Sequence, residues 1–296
     1  MKKLPAIACL VSLAVFGRVV VQTGTQPTPR PAPRPFVVFD NMAYANKPDL
    51  STSGLIASCV IYYRGEWKTA VAAGQLPDEA SFKAAVRSRS AGKPGPVVID
   101  FEYVFLSKTR GTTDASVKAH FKLFITLAKW AHQAAPGHLV GFYGHGLFPE
   151  EPGREYAAET KALIAAVDAF FPSLYVHGNQ TAAQWKQKLQ SLVQQAHELA
   201  PGKPVYPYVW PQYHEGGPKA LEFVDAGYMK FQLETARDCG ADGVVFWSSN
   251  KPAWKDAPWL QALLQFVAGK PQCRSGVESR LAQPGPNGQP AAFAPE

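Results

Sequence analysis

Seven short apolar runs alternate with helix-patterned segments, and this alternation constrains the chain more than any other feature. The runs are 36–41, 56–63, 96–103, 139–144, 170–177, 204–209 and 243–248. Segments of helical period lie between them at 78–89, 115–135, 154–166, 182–200 and 226–239, and 254–268 closes the series. Gly or Pro stands just ahead of several runs, as in Lys93-Pro94-Gly95-Pro96 and Pro201-Gly202-Lys203-Pro204, where helices are expected to stop. Strand alternating with helix over so long a stretch predicts a parallel sheet. An open doubly wound sheet would bring a Gly-rich phosphate loop after its first strand. Here Asp40-Asn41-Met42-Ala43 follows instead. The expected fold class is therefore α/β, a distorted (β/α)8 TIM-type barrel. Seven strands are clear, and the eighth is expected to be irregular, near 50–55.

In such a barrel the C-terminal strand ends converge on one mouth. The third run, Pro96-Val97-Val98-Ile99-Asp100-Phe101-Glu102-Tyr103, ends in two acids. Side chains alternate along a strand, so Asp100 and Glu102 share a face while Val97, Ile99 and Phe101 take the other. Unpaired buried carboxylates are costly, so two of them at an apolar strand end mark a candidate chemical centre; the competing reading is a salt-bridged pair. The other strand ends add Asp40, Asn41, Tyr62, Tyr63, Tyr143, His145, Tyr175, His177, Tyr206, Tyr208 and Trp247. Taken singly, each of these tyrosines reads as core. Taken together, acids, phenols and an indole at one mouth suit a sugar, whose faces stack on rings and whose hydroxyls meet acids. No Ser/His/Asp arrangement favours acyl transfer.

Residues 1–22 have a basic start, an apolar run and then small residues, the pattern of a secretory signal. A secreted or periplasmic location is expected, without stable membrane insertion once the signal is removed. Residues 23–35 form a Pro-rich linker and 272–296 a Pro/Gly-rich tail expected to be disordered, which leaves 36–271 as the folded domain. The formal net charge is +7, but 36–271 carries 23 basic against 21 acidic side chains, so the basicity belongs to the ends. Nucleic acid is therefore not an expected partner, and oligomeric state is left open. The four cysteines, Cys9, Cys59, Cys239 and Cys273, show no Cys-x-x-Cys spacing, and no His-Glu-x-x-His occurs. Zinc is accordingly not expected, nor is any other metal or cofactor.

Several segments resemble the hyaluronidase family of glycoside hydrolases. Val98-Ile99-Asp100-Phe101-Glu102 is similar to its Asp-x-Glu strand, and Gly141-Phe142-Tyr143 with Leu147-Phe148-Pro149 to its fourth-strand segment. Phe171-Pro172-Ser173-Leu174-Tyr175 resembles its Pro-Ser-Ile-Tyr element, and Pro204-Val205-Tyr206-Pro207-Tyr208-Val209 its sixth strand. Glu234-Thr235-Ala236 and Gly240 to Trp247 resemble its closing segment. The resemblance implies a distorted (β/α) barrel that hydrolyses N-acetylhexosamine-containing polysaccharide, hyaluronan or chondroitin first among candidates. It implies Glu102 as general acid/base, Asp100 as the acid that polarises the substrate's acetamido group, and Tyr175 beside the reacting carbon. Tyr208 and Trp247 would line the acetamido pocket, with Tyr143, Asp40 and Tyr206 as further substrate contacts. The implied reaction is retaining and substrate-assisted, an exception to the two-carboxylate scheme. A raised pKa on one of two neighbouring acids would fit, with the proton expected on Glu102. The chain departs from the family in having Tyr103-Val104-Phe105 after the second acid, no matching disulfide framework and no evident basic groove. Two rivals stand beside this reading: a conventional glycosidase using another strand-end acid such as Asp40, and a glycan-binding barrel without turnover.

Overall fold

The computed structural model describes residues 34–269, except 63–64, 103, 109–111, 145–154, 250–252 and 255–256. The expected signal, almost all of the linker and the tail lie outside the described residues, as do Tyr63 and His145.

Among the described residues seven strands are formed: β1 (Val37–Met42), β2 (Ile56–Ala57), β3 (Cys59–Tyr62), β4 (Val97–Asp100), β5 (Val140–Phe142), β6 (Tyr208–Val209) and β7 (Gly243–Ser248). Every ladder between them is parallel, in the orders β2-β1-β7-β6 and β3-β4-β5. The two sheets meet at both ends. β2 and β3 are one run interrupted at Ser58, whose N–H donates to Asp40 O at 3.0 Å while Cys59 N–H donates to Pro96 O at 3.1 Å. On the other side Tyr143 pairs with Phe171, Phe170 with Val205, and Ser173 with Tyr208. Followed from neighbour to neighbour, the bonds run through β1, β2/β3, β4, β5, 170–173, 205–209 and β7, then return to β1. The described residues thus make a ring of seven. Where an eighth strand was expected, Ser51–Ser53 is a single 3-10 turn closed by Gly54 at φ 83°.

The helices are α1 (Gly65–Ala72), α2 (Glu79–Ser90), α3 (Asp114–Ala134), α4 (Ala157–Ala166), α5 (Ala182–Leu199), α6 (Ala226–Asp238) and α7 (Pro258–Ala268). All but α1 match helical periods read in the sequence. Four of them start on side-chain caps that satisfy orphan N–H groups. Asp78 caps α2 and Asp225 caps α6, while Thr113 with Ser116 and Thr181 with Gln184 form capping boxes on α3 and α5. None of the described helices is long and apolar enough to cross a membrane. Cys59 and Cys239 are free thiols.

Strand alternation divides the core in two. Val38, Ile61, Val97, Ile99 and Phe101 face outward and pack with helix residues such as Phe82, Phe124 and Leu127. Phe39, Val60, Val98, Phe171, Tyr206 and Val245 fill the inside of the ring. Two residues further along the same inner face, Val60 gives way to Tyr62, Val98 to Asp100 and Val245 to Trp247. The inner apolar layer is therefore the floor on which the next layer of side chains stands.

Candidate active site

Above that floor is a hollow of about 520 Å³, large enough for a sugar unit and its neighbours. Tyr62, Asp100 and Glu102 form one wall, and Tyr143 and Tyr175 lie beside them. Trp210, His214 and Glu215 come from the chain after β6, and Trp247 and Ser249 from the end of β7.

β4 ends at Asp100, in register with Tyr62 of β3. One turn onward Glu102 faces the same hollow but is exposed, whereas Asp100 is largely buried. Oδ1 of Asp100 is buried and has no hydrogen-bond partner among the described residues. Burial first, and the neighbouring Glu102 second, push its carboxyl up to about 7. Loss of hydration disfavours the charged form, and a nearby like charge adds to it. The raised value, expected on Glu102, is thus found on Asp100, which holds its proton far above the ordinary carboxylate range.

The rings are fixed by one another. Tyr175 stacks on Trp247, with centroids 5.5 Å apart and planes 30° apart, and on the His214 imidazole at 5.9 Å. Trp210 meets Trp247 edge-on at 5.0 Å and Tyr175 at 5.8 Å. Trp247 Nε1 donates to the Tyr62 hydroxyl at 2.9 Å, tying β7 to β3 across the mouth. The Tyr143 hydroxyl donates to Ser173 Oγ at 3.0 Å. Burial raises the phenols of Tyr62, Tyr143 and Tyr175 above their usual range, so each stays neutral and able to donate.

Asp100, Glu102, Tyr143, Tyr175 and Trp247 are therefore brought together around one hollow. Asp40, Tyr206 and Tyr208 are not part of its lining. On β1, Phe39 points into the ring, so Asp40 points out. There Oδ2 accepts from Lys47 Nζ at 2.6 Å and Oδ1 from the Met42 N–H at 3.0 Å. Tyr206 and Tyr208 have the inward face but the wrong height. Tyr206 lies against Phe39 and Phe171, with Asp242 and Arg34 the charges it feels, toward the far end of the ring. Tyr208 is 1% exposed beneath the site, and its hydroxyl is unpartnered among the described residues. Trp210, two residues further on the same inward period, reaches the mouth, so extending the alternation of the sixth run by one step would have found it. His177 packs against His214 at 4.7 Å without lining the hollow, and burial lowers its pKa. His214, Glu215 and Ser249 lie in irregular chain beyond the strands and carry no periodic signal.

No protein-family model matches the chain, and no curated protein matches it in sequence. Solved structures match its fold. Bee venom hyaluronidase superposes with a TM-score of 0.59 at 17% identity, covering 79% of this chain and 98% of that one. The same bee venom enzyme in complex with a hyaluronic acid tetramer gives 0.56 at 16% identity, covering 79% and 97%. The spore cortex-lytic enzyme SleL of Bacillus megaterium gives 0.51 at 12% identity, covering 79% of this chain and 75% of that one. With its parallel ring of strands under a mouth of acids and aromatic rings, this chain has the fold of the hyaluronidase-like glycoside hydrolases.

Proposed function

We propose that the protein is a secreted or periplasmic glycoside hydrolase that cleaves N-acetylhexosamine-containing glycans by a retaining, substrate-assisted reaction. The observation that carries this is the placement of Asp100 and Glu102 on one wall of a sugar-sized hollow faced by Tyr175 and Trp247. The likeness in fold to a hyaluronidase crystallised with a hyaluronic acid tetramer adds to it.

The steps follow from the two acids. A sugar stacks on Trp247 and Tyr175 with its acetamido group toward Asp100. The amide N–H donates to Asp100, which favours the ionised form of that carboxyl, and the proton that Asp100 gives up passes to Glu102. The acetamido oxygen attacks the anomeric carbon as the glycosidic bond breaks, and Glu102 gives its proton to the leaving oxygen. Positive charge developing on the amide nitrogen is stabilised by Asp100. Glu102, now a carboxylate, takes a proton from the water that opens the cyclic intermediate. The buried phenol of Tyr175 can donate to the acetamido oxygen and hold it in line.

A conventional two-carboxylate glycosidase is the second reading. Asp40 does not serve it, since it faces outward onto Lys47. Glu215 does face the hollow, and it becomes the candidate nucleophile or base. Reducing-end release from N-acetylated polysaccharides tests both readings. Substrate assistance predicts that Glu102→Gln lowers kcat by a factor of about 10² to 10⁴ and that a thiazoline analogue of N-acetylhexosamine inhibits. Thiazoline insensitivity, with Glu215→Gln as inactive as Glu102→Gln, would transfer the case to the conventional mechanism. No release from any glycan, with binding intact, would leave a binding barrel.

A further inference from the structure

Among the described residues, the carboxylates lining the hollow have no cation beside them in the lining. Asp100 and Glu102 stand at the third place in the ring, and Glu215 stands across from them, after the sixth. No Lys or Arg is among the described residues that line the space between. Three described cations of neighbouring chain have partners of their own. Lys47 is bound to Asp40, Lys219 lies over the ring of Tyr213 at 5.1 Å, and Arg89 lies over the ring of Tyr62 at 5.9 Å without joining the lining. The remaining described walls are phenols, indoles, an imidazole and Ser249, which offer donors and stacking faces but no fixed positive charge.

We propose that this hollow selects N-acetylhexosamine chains whose neighbouring sugars are uncharged or carry free amino groups, and disfavours chains in which they are uronic acids. This rests on the glycosidase reading above and narrows it. A uronate carboxylate held in the hollow meets an acid on either side, in a space partly walled by the buried rings of Tyr143, Tyr175 and Trp210. Like charges brought together in this way lower affinity steeply. A hydroxymethyl group at the same position donates to those acids instead. An ammonium group is attracted by the negative charge on both sides. The likeness in fold to a hyaluronidase therefore does not extend to the uronate half of that polymer.

The test compares four probes of matched length. They are chitin oligosaccharides, partly de-N-acetylated chitin oligosaccharides, hyaluronan oligosaccharides, and the same hyaluronan oligosaccharides with their carboxylates methyl-esterified. kcat/KM is expected to be about 100-fold lower on hyaluronan than on chitin oligosaccharides, and esterification should recover most of that gap. Glu215→Gln should raise the ratio of hyaluronan to chitin rates by about tenfold, because it removes a negative charge from the wall opposite Asp100 and Glu102 and keeps the shape. Equal rates on hyaluronan and chitin, or rates that esterification does not change, overturn the proposal and leave the glycosidase reading standing. If none of the four is turned over, the glycosidase reading fails, and calorimetric binding to the folded chain still decides on charge. Binding of the neutral probe well above hyaluronan supports it, and equal binding or none overturns it.

Discussion

Asp100 is a carboxyl held where its charged form is disfavoured. Its ordinary value of 3.8 becomes about 7 in the fold, through burial and then Glu102. Between these two values the folded chain keeps a proton that the unfolded chain releases. Stability from this group is therefore complete below about pH 4 and is lost as pH rises through 7. Above that the folded protein carries a buried carboxylate with one oxygen unpartnered among the described residues. Asp100→Asn cannot ionise, so it should melt near the parent at pH 4 and above it at pH 8, the gain reaching about 2–4 kcal/mol. Thermal denaturation across this range checks it, and parallel curves for the two proteins would mean that Asp100 titrates as an ordinary surface acid. The same variant should lose most glycosidase activity, so the site holds a group that stability alone would not select.

The segment after β6 sets the far wall of the site, and a buried amide holds it. Gln212 is 2% exposed, and its Oε1 accepts from the Tyr44 hydroxyl at 2.8 Å and from Trp210 Nε1 at 3.1 Å. Its Nε2 donates to Leu221 O at 2.6 Å, while Phe223 pairs with it in an antiparallel bridge. Gln212 thus fixes the indole that meets Trp247 and Tyr175 edge-on. Gln212→Leu takes this partner from two buried groups, the Tyr44 hydroxyl and the Trp210 indole N–H, each worth about 1–3 kcal/mol when unsatisfied. A stability loss of about 2–4 kcal/mol is expected, together with a KM raised several-fold and kcat changed less, because Trp210 shapes binding without touching the transferred proton. Calorimetry and steady-state kinetics on a chitin oligosaccharide check this; a kcat loss with KM unchanged would contradict it. This element also shows why the sequence was only partly legible. Strand runs and amphipathic helices announce themselves by period, and so β4 with its acids, Tyr175 and Trp247 could be read in place. Height along a strand is not periodic, so Tyr206 and Tyr208 were read at the mouth when Trp210 occupies it. Parity on β1 could have been read, since Phe39 inward forces Asp40 outward. His214 and Glu215 come from chain whose course depends on tertiary contacts, such as the His214 N–H donating to Val176 O at 2.7 Å, and nothing local encodes that.

At the scale of the whole molecule, the described residues close a ring of seven members, and its seams are tight near the N-terminal ends of the strands, opposite the site. A Cβ on Gly95 would lie 2.5 Å from Ala57 O, and one on Gly141 would lie 2.6 Å from both Ala169 O and the Phe171 ring. On Gly243 it would lie 2.2 Å from Val37 O and 2.9 Å from Val37 Cγ2, at the seam where β1 and β7 pair through six registered positions. The missing side chains let neighbouring strands approach closely, which a narrow ring requires. None of the three has a left-handed φ, so the requirement is space, not backbone conformation. That fixes the sign of a test. Gly→Ala at a relaxed position stabilises by about 0.4–1 kcal/mol through the unfolded chain, whereas a backbone carbonyl at 2.2 Å cannot step aside without opening the ladder. Gly243→Ala should therefore destabilise by about 1–3 kcal/mol or more. Gly202, which has nothing within 4 Å and an ordinary φ, is the control, and Gly202→Ala should stay within about 0.5 kcal/mol of the parent. Trp247 lies four residues further along β7, roughly 13 Å away, so KM of the folded fraction of Gly243→Ala should hold while its urea midpoint falls. A Gly243→Ala protein as stable as Gly202→Ala would mean that β1 and β7 are not closely joined, and with them the ring that brings Trp247 across to Tyr62.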